Sequence, residues 1–127
     1  EEGLSPLARI KAHSTQALAP SEFVIAPIGA IKKVLDKANW STKDVDLWEI
    51  NEAFAAVTIL ATQELKLDPK LINIHGGACA LGHPVGSSGS RIIISLIYAL
   101  KRLGKKRGIA ALCIGGGEAT AIAIEIL

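Results

Sequence analysis

The stretch "GIAALCIGGGEATAIAIEIL", Gly108 to Leu127, decides how this chain folds. Gly108 to Ile114 is a continuous apolar run of strand length, and Ala119 to Leu127 reads as a last strand. Unbroken apolar runs of this kind read as strands buried on both faces. Only about four residues, "GGGE", join them. Such a connection allows a hairpin but no crossover. The final strand is therefore expected to run antiparallel to its predecessor, at an edge of the sheet.

Upstream, Gly86 to Leu103 reads as a helix that is apolar nearly all round, through Ile92, Ile93, Ile94, Leu96, Ile97, Tyr98, Ala99 and Leu100. A helix of that kind is expected to be buried on most sides. Leu71 to His75 reads as a strand, Phe54 to Leu65 as a helix of small apolar residues, and Val45 to Asn51 ("VDLWEIN") as a short strand. Pro27 stands where a helix can start. After it, Ile28, Ile31, Val34, Leu35 and Ala38 recur at helical spacing, opposite Lys32, Lys33, Asp36 and Lys37. Leu7 to Leu18 is the first strand, closed by Pro20. The order β-α-β-α-β-α-β-β argues for a mostly parallel α/β sheet.

The 127 residues suit one domain, and half of them are apolar. A net charge of +2 names no partner. The basic cluster Lys101, Arg102 and Lys105 to Arg107 lies at a helix end, where positive charge is favoured, and reads as a solvated cap. No aromatic residues interleave with it, so no nucleic-acid site is expected. The longest apolar stretch, Ile92 to Leu100, is too short to span a bilayer, and no membrane partner is expected. Two cysteines without CxxC form no disulfide framework and point to a reducing compartment. The cytoplasm is the first choice, with an organelle left open. The chain holds no Met and opens on "EEGLSPLARI", which reads as part of a longer protein.

Chemistry-bearing residues gather in three segments. "NEAFA" (Asn51 to Ala55) follows the second strand, "HGGACALGHPVG" (His75 to Gly86) the third, and "CIGGG" (Cys113 to Gly117) ends the fourth. Ligands of open parallel sheets bind beyond the carboxyl ends of the strands, where all three would meet. Histidine moves protons near neutral pH. A thiol serves as nucleophile or acid/base once its pKa is tuned. Glycines offer backbone N–H groups to an oxyanion. Acyl chemistry fits this set better than hydride transfer. The plainer alternatives are that Cys79 is a core residue, that Asn51 only caps a helix, that His75 caps a strand, and that Asn73 is an ordinary strand residue. His75, Cys79 and His83 recur every four residues, but the glycines among them argue against a helix, and the spacing matches no common zinc pattern. No GxGxxG or P-loop lysine is present.

Taken in order, "NEAFA", "GGACALGHPVGSSGSRI" and "CIGGGEATAIAIE" closely resemble the C-terminal half of thiolases, most of all the biosynthetic acetyl-CoA acetyltransferases, and "SPLARI" resembles the start of that half. The resemblance covers essentially the whole chain. It implies a three-layer half-enzyme, residues 1–127, with a five-stranded mixed sheet, four strands parallel and the last antiparallel, and helices on both faces. It implies reversible condensation of two acetyl-CoA into acetoacetyl-CoA and CoA, with CoA thioester as substrate and no further cofactor or metal. By resemblance, His83 activates the acylated cysteine and donates to the thioester oxygen, and Asn51 holds a water that is the other donor. Cys113 moves the proton at the α-carbon, the N–H of Gly115 joins a second oxyanion hole, and Phe54 with Ala53 lines the substrate channel. The Gly86–Leu103 helix resembles the family's central helix. The acylated cysteine, the loop domain that holds most of the CoA, and the contacts of a homodimer or homotetramer belong to the N-terminal half. That half is expected as the partner, and this chain alone is expected to be inactive. Cys79 stands where thiolases usually place an aliphatic residue. A 3-ketoacyl-CoA thiolase of fatty-acid degradation and a non-catalytic binding or assembly module remain open alternatives.

Overall fold

The computed structural model describes residues 3–127. Its sheet has four strands: β1 (Ala8–Ala17), β2 (Leu47–Ile50), β3 (Arg107–Cys113) and β4 (Glu118–Ile126). Their order is β1-β4-β3-β2. β2 runs parallel to β3, and β4 runs antiparallel to both β3 and β1. The antiparallel final strand is as the sequence predicts, but its edge position is corrected: β4 lies inside the sheet. The physical reason is in its composition. Ala119, Ala121 and Ala123 are buried on one face and Ile124 on the other, and a strand apolar on both faces belongs in the interior. β1 alternates with exposed Arg9, Lys11, His13 and Thr15, and charged side chains mark a tolerated edge.

The predicted strand at Leu71–His75 is also corrected, which leaves four strands where five were expected. Pro69–Leu71 is a 3-10 turn, and only a single parallel bridge joins Ile72 to Trp48. Asn73 then turns left-handed at φ 47°, a conformation open to Asn at modest cost. Its side chain takes over the ladder. Oδ1 accepts from the Ile50 N–H at 2.9 Å, and Nδ2 donates to the Ile50 carbonyl at 2.8 Å. An amide side chain thus stands in for a strand.

Helices cover both faces. α1 (Ala26–Ala38) and α2 (Ala55–Leu65) pack with Trp48, Ile50 and Ile109 on one side. α1 buries Ile31, Val34 and Leu35 and turns its lysines outward, as its spacing predicts. On the other side lies the long α4 (Val85–Leu103), preceded in the chain by a single turn, α3 (Ala78–Leu81). α4 is not buried all round. Ile92, Leu96, Ala99 and Leu100 meet the sheet, while Ile94 and Tyr98 are 55% and 59% exposed. One sheet covers one face of a helix, whatever the helix composition. Gly108 lets α4 close on β3, since a Cβ there would lie 2.8 Å from the Leu96 side chain. Past the helix end, Asp46 accepts from the N–H groups of Lys106 and Arg107, at 3.0 and 2.9 Å. Lys101, Arg102, Lys105 and Lys106 are exposed, as expected of a cap.

Between β3 and β4 the chain turns on Gly117, at φ 102°. A Cβ on Gly117 would lie 2.4 Å from the Leu18 carbonyl oxygen and 2.9 Å from the Ala19 carbonyl. The Gly117 carbonyl accepts from the Leu18 N–H at 3.0 Å. The exit of β1 is thereby fastened to the turn that carries the second glycine segment. No helix among the described residues is long and apolar enough to cross a membrane.

Candidate active site

β2 and β3 are parallel neighbours, so their carboxyl ends lie side by side. Asn51 follows β2 directly, and Cys113 is the last residue of β3. Gly82, at φ 91°, turns the chain after α3 and brings His83 over the same end. A cavity of about 660 Å³ opens there. Ala53, Phe54, His83, Cys113 and Gly115 line it, with apolar walls from Phe23, Val85, Leu112 and Ile114. Asn51 reaches it through His83, its Nδ2 lying 3.4 Å from His83 Nε2. The six residues singled out in the sequence are therefore brought to one place.

The hydrogen bonds set the state of the imidazole. Ser88 Oγ donates to the Pro84 carbonyl at 3.2 Å and lies 2.6 Å from His83 Nδ1. Asn51 Nδ2 can only donate to Nε2, so the ring proton lies on Nδ1 and is donated to Ser88 Oγ. Nε2 then carries the ring's lone pair, engaged only by the long contact of 3.4 Å from Asn51 Nδ2–H. A histidine in this tautomer can take a proton at Nε2 and then donate from the same atom.

Cys113 is 6% exposed. Burial pushes its thiol up, partly offset by its own backbone hydrogen bond. It is accordingly a thiol, not a thiolate, at neutral pH. Gly115 is exposed, and a Cβ there would meet nothing within 4 Å. Phe54 caps α2 and meets Phe23 edge to face, with ring centroids 5.9 Å apart.

Several of the plainer expectations are corrected. Cys79, read as a core residue, is exposed, and of the two cysteines it is Cys113 that is buried. Asn51 is not a helix cap; Phe54 holds that position. His75 pairs with the Arg102 side chain instead of capping a strand. Among the described residues no three His, Cys, Asp or Glu side chains converge on a point where a metal would bind.

Five residues of the site escape the sequence reading. Ser88 follows His83 by five positions and orients it. Glu52 accepts from the Cys79 N–H at 3.0 Å and the Asn73 amide at 3.2 Å, pinning the glycine segment to β2. Gly77 leaves room for that carboxylate, since a Cβ there would lie 2.2 Å from the Glu52 carboxyl carbon and push it from these two bonds. Glu49 and Arg91 stand behind Asn51. Glu49 is 2% exposed and 3.5 Å from Arg91 Nη1. Its carboxyl is pushed up to about 7 by burial, against the pull of Arg91 and with a push from Glu52. A carboxylate in the otherwise apolar "LWEI" was the available signal.

Comparison with known proteins follows the same lines. Residues 4–126 match the family model described as the thiolase C-terminal domain. The chain is 53% identical to cytosolic acetyl-CoA acetyltransferase of Mus musculus over 122 residues, 96% of this chain and 31% of the relative. It is 45% identical to an acetyl-CoA acetyltransferase of Cupriavidus necator, over 98% of this chain and 32% of that protein. Among solved structures, the acetyl-CoA acetyltransferase of Bacillus anthracis superposes with a TM-score of 0.95 at 50% identity, over 98% of this chain and 32% of its own. Human mitochondrial 3-ketoacyl-CoA thiolase superposes at 0.94 with 45% identity, over 97% and 31%. The chain thus spans about a third of the length of the relatives it matches.

Proposed function

Because the chain belongs to the thiolase family through its C-terminal domain, we propose that it supplies half of the active site of an acetyl-CoA C-acetyltransferase, residues 1–127 forming the C-terminal domain. The observation that carries the reading is the Asn51–His83 pair, 3.4 Å apart, at the cavity that Cys113 and Gly115 also line.

In this reading an N-terminal half brings the cysteine that becomes acetylated and covers the Ile94 and Tyr98 face of α4. His83 Nε2 takes the proton of that cysteine, and the thiolate attacks the thioester carbonyl of acetyl-CoA. The resulting oxyanion accepts from His83 Nε2–H and from a water held by Asn51. Cys113 begins protonated and so acts first as an acid: its proton goes to the departing CoA sulfur. The thiolate left behind is the base that removes the α-proton of a second acetyl-CoA. The carbanion attacks the acetyl-enzyme, forms the new carbon–carbon bond, and expels the cysteine as thiolate, which recovers its proton from His83 Nε2. Backbone N–H donation from Gly115 contributes to a second oxyanion hole, and Ala53 and Phe54 line the approach of the pantetheine arm. The CoA thioester is substrate, and no other cofactor is needed. The name of the mouse relative favours a cytosolic setting.

The likeness to human 3-ketoacyl-CoA thiolase supports a second reading, in which longer 3-ketoacyl chains are cleaved. The test is turnover by this domain assembled with its N-terminal half. Acetoacetyl-CoA formed from acetyl-CoA, and thiolysis confined to four-carbon substrate, is the expected result. Preference for longer chains selects the second reading, and no turnover with any acyl-CoA overturns both. The 127-residue chain alone, incubated with acetyl-CoA, is expected to show no acetylated mass.

A further inference from the structure

Behind the Asn51–His83 pair lies a second, buried layer of polar groups. Glu49 lies on the α4 side of β2, since its neighbours Trp48 and Ile50 pack on the opposite face. There it meets Arg91, one helical turn beyond Ser88. Arg91 forks. Nη1 donates to Glu49 Oε2 at 3.5 Å, and Nη2 donates to Asn51 Oδ1 at 3.4 Å. Its Nε is buried with no partner among the described residues. The guanidinium side chain is 22% exposed, whereas Glu49 is 2% exposed. Nothing in the chemistry assigned to His83, Cys113, Asn51 and Gly115 uses either residue.

A carboxamide can sit in its pocket in two orientations of nearly equal shape. In one, Oδ1 faces Arg91 and Nδ2 faces His83; in the other, the two are exchanged. Arginine carries five N–H donors and no acceptor. The exchanged orientation would set NH2 against guanidinium, donor on donor, and leave both unsatisfied in a buried place. It would also turn Oδ1 toward the lone pair of His83 Nε2. The fork of Arg91 removes that orientation, and Glu49 keeps the fork from swinging out to water.

We propose that Arg91, anchored by Glu49, is a positioning residue that fixes the Asn51 amide with Nδ2 toward His83 Nε2, and so fixes which imidazole nitrogen carries the lone pair facing the cavity. In its kinetic arm the proposal rests on the thiolase reading; in its structural arm it does not.

The experiment is nitrogen-detected NMR of the His83 ring and the Asn51 side-chain amide in the 127-residue chain, compared with Arg91→Met, Arg91→Lys and Glu49→Gln. The unsubstituted chain should show a single His83 tautomer with the proton on Nδ1. Arg91→Met should give mixed tautomers and a shifted, broadened Asn51 amide. Arg91→Lys, with one donor centre in place of a fork, should restore the Asn51 signal only in part. Glu49→Gln keeps an acceptor for Nη1 and should perturb His83 less than Arg91→Met. In the assembled enzyme, Arg91→Met should lower kcat about ten- to a hundredfold with little change in KM, the scale of a misplaced site group. A residue with a merely structural role would lower the melting temperature and leave the His83 tautomer alone. An Arg91→Met chain that folds and keeps one Nδ1–H tautomer with an unmoved Asn51 amide overturns the proposal. Should Arg91→Met not fold, the same unchanged signals in Arg91→Lys overturn it. Absence of turnover in the unsubstituted enzyme counts against the thiolase reading alone, because the ring-nitrogen signals still answer for Arg91.

Discussion

Replacing Gly117 with Ala tests the turn that holds the Cys113–Gly115 segment in place. At φ 102° an L-residue is strained, and a forced conformation of this kind costs about 1–3 kcal/mol. The added Cβ would also stand 2.4 Å from the Leu18 carbonyl oxygen. That neighbour is backbone, so relief requires moving the β1 exit away from the turn. The move breaks the bond from the Leu18 N–H to the Gly117 carbonyl, a loss of about 1 kcal/mol. Against this, Ala restricts the unfolded chain and returns about 0.4–1 kcal/mol. The net expectation is a destabilisation of about 2 kcal/mol, or roughly 8 °C in melting temperature for a chain of this size. Gly115→Ala is the control: its Cβ meets open space, and the change should stay within about 0.5 kcal/mol. Urea unfolding and thermal melting of the three chains supply the measurement. A Gly117→Ala chain as stable as Gly115→Ala would refute both the strain and the steric argument.

Glu49 should make stability fall with rising pH. Its carboxyl, raised by burial from 4.5 to about 7, holds a proton in the folded chain that the unfolded chain gives up. The stabilisation is complete below about pH 4.5 and is lost by about pH 7, some 3 kcal/mol in all; Glu49→Gln should flatten urea-derived stability over that window, and an unchanged slope would contradict the assignment. Leu96→Ala, on the covered face of α4, should cost about 2–5 kcal/mol, while Ile94→Ala on the open face should be nearly neutral in the isolated chain. Equal losses would mean that the helix is covered all round after all. On the acetyltransferase reading, Cys113→Ala in the assembled enzyme should abolish condensation yet leave some acetyl transfer to the N-terminal cysteine, read by intact mass, because CoA can depart as a thiolate without an acid whereas the α-proton cannot be removed without a base. Equal loss in both half-reactions would remove that division of labour.

Local composition carried much of this fold. The lysine face of α1, the glycine turn after β3 and the apolar run of β3 each declared themselves over a few residues. The placement of β4 did not, because an apolar strand after a hairpin fits an edge or an interior equally well until its partner on the far side is known. That partner is β1, whose alternating charges are legible as an edge only in retrospect. The strand expected at Leu71–His75 failed on one residue: Asn73 makes one backbone bond, to the Trp48 carbonyl, then turns left-handed and continues the pairing with its amide. At the site, the residues with reactive side chains stood out by motif. Ser88, Glu52 and Arg91 did not, since their work is to orient other groups, and orientation is a matter of three-dimensional adjacency.

The interior position of β4 has a consequence for how the molecule comes into being. β4 follows every other element in the chain, yet it is the piece against which both β1 and β3 are paired. Its partners on β1 lie about a hundred positions upstream, as Ala17 does from Glu118. Until β4 arrives, β1 has no neighbour, β3 presents an open edge, and the apolar face of α1 lacks part of its floor. Pairings so distant in sequence form slowly, and an unsatisfied strand edge in the interval is an invitation to intermolecular pairing. During synthesis, the sheet behaves as an arch that stands only when its keystone is set, and that keystone is the segment "EATAIAIEI".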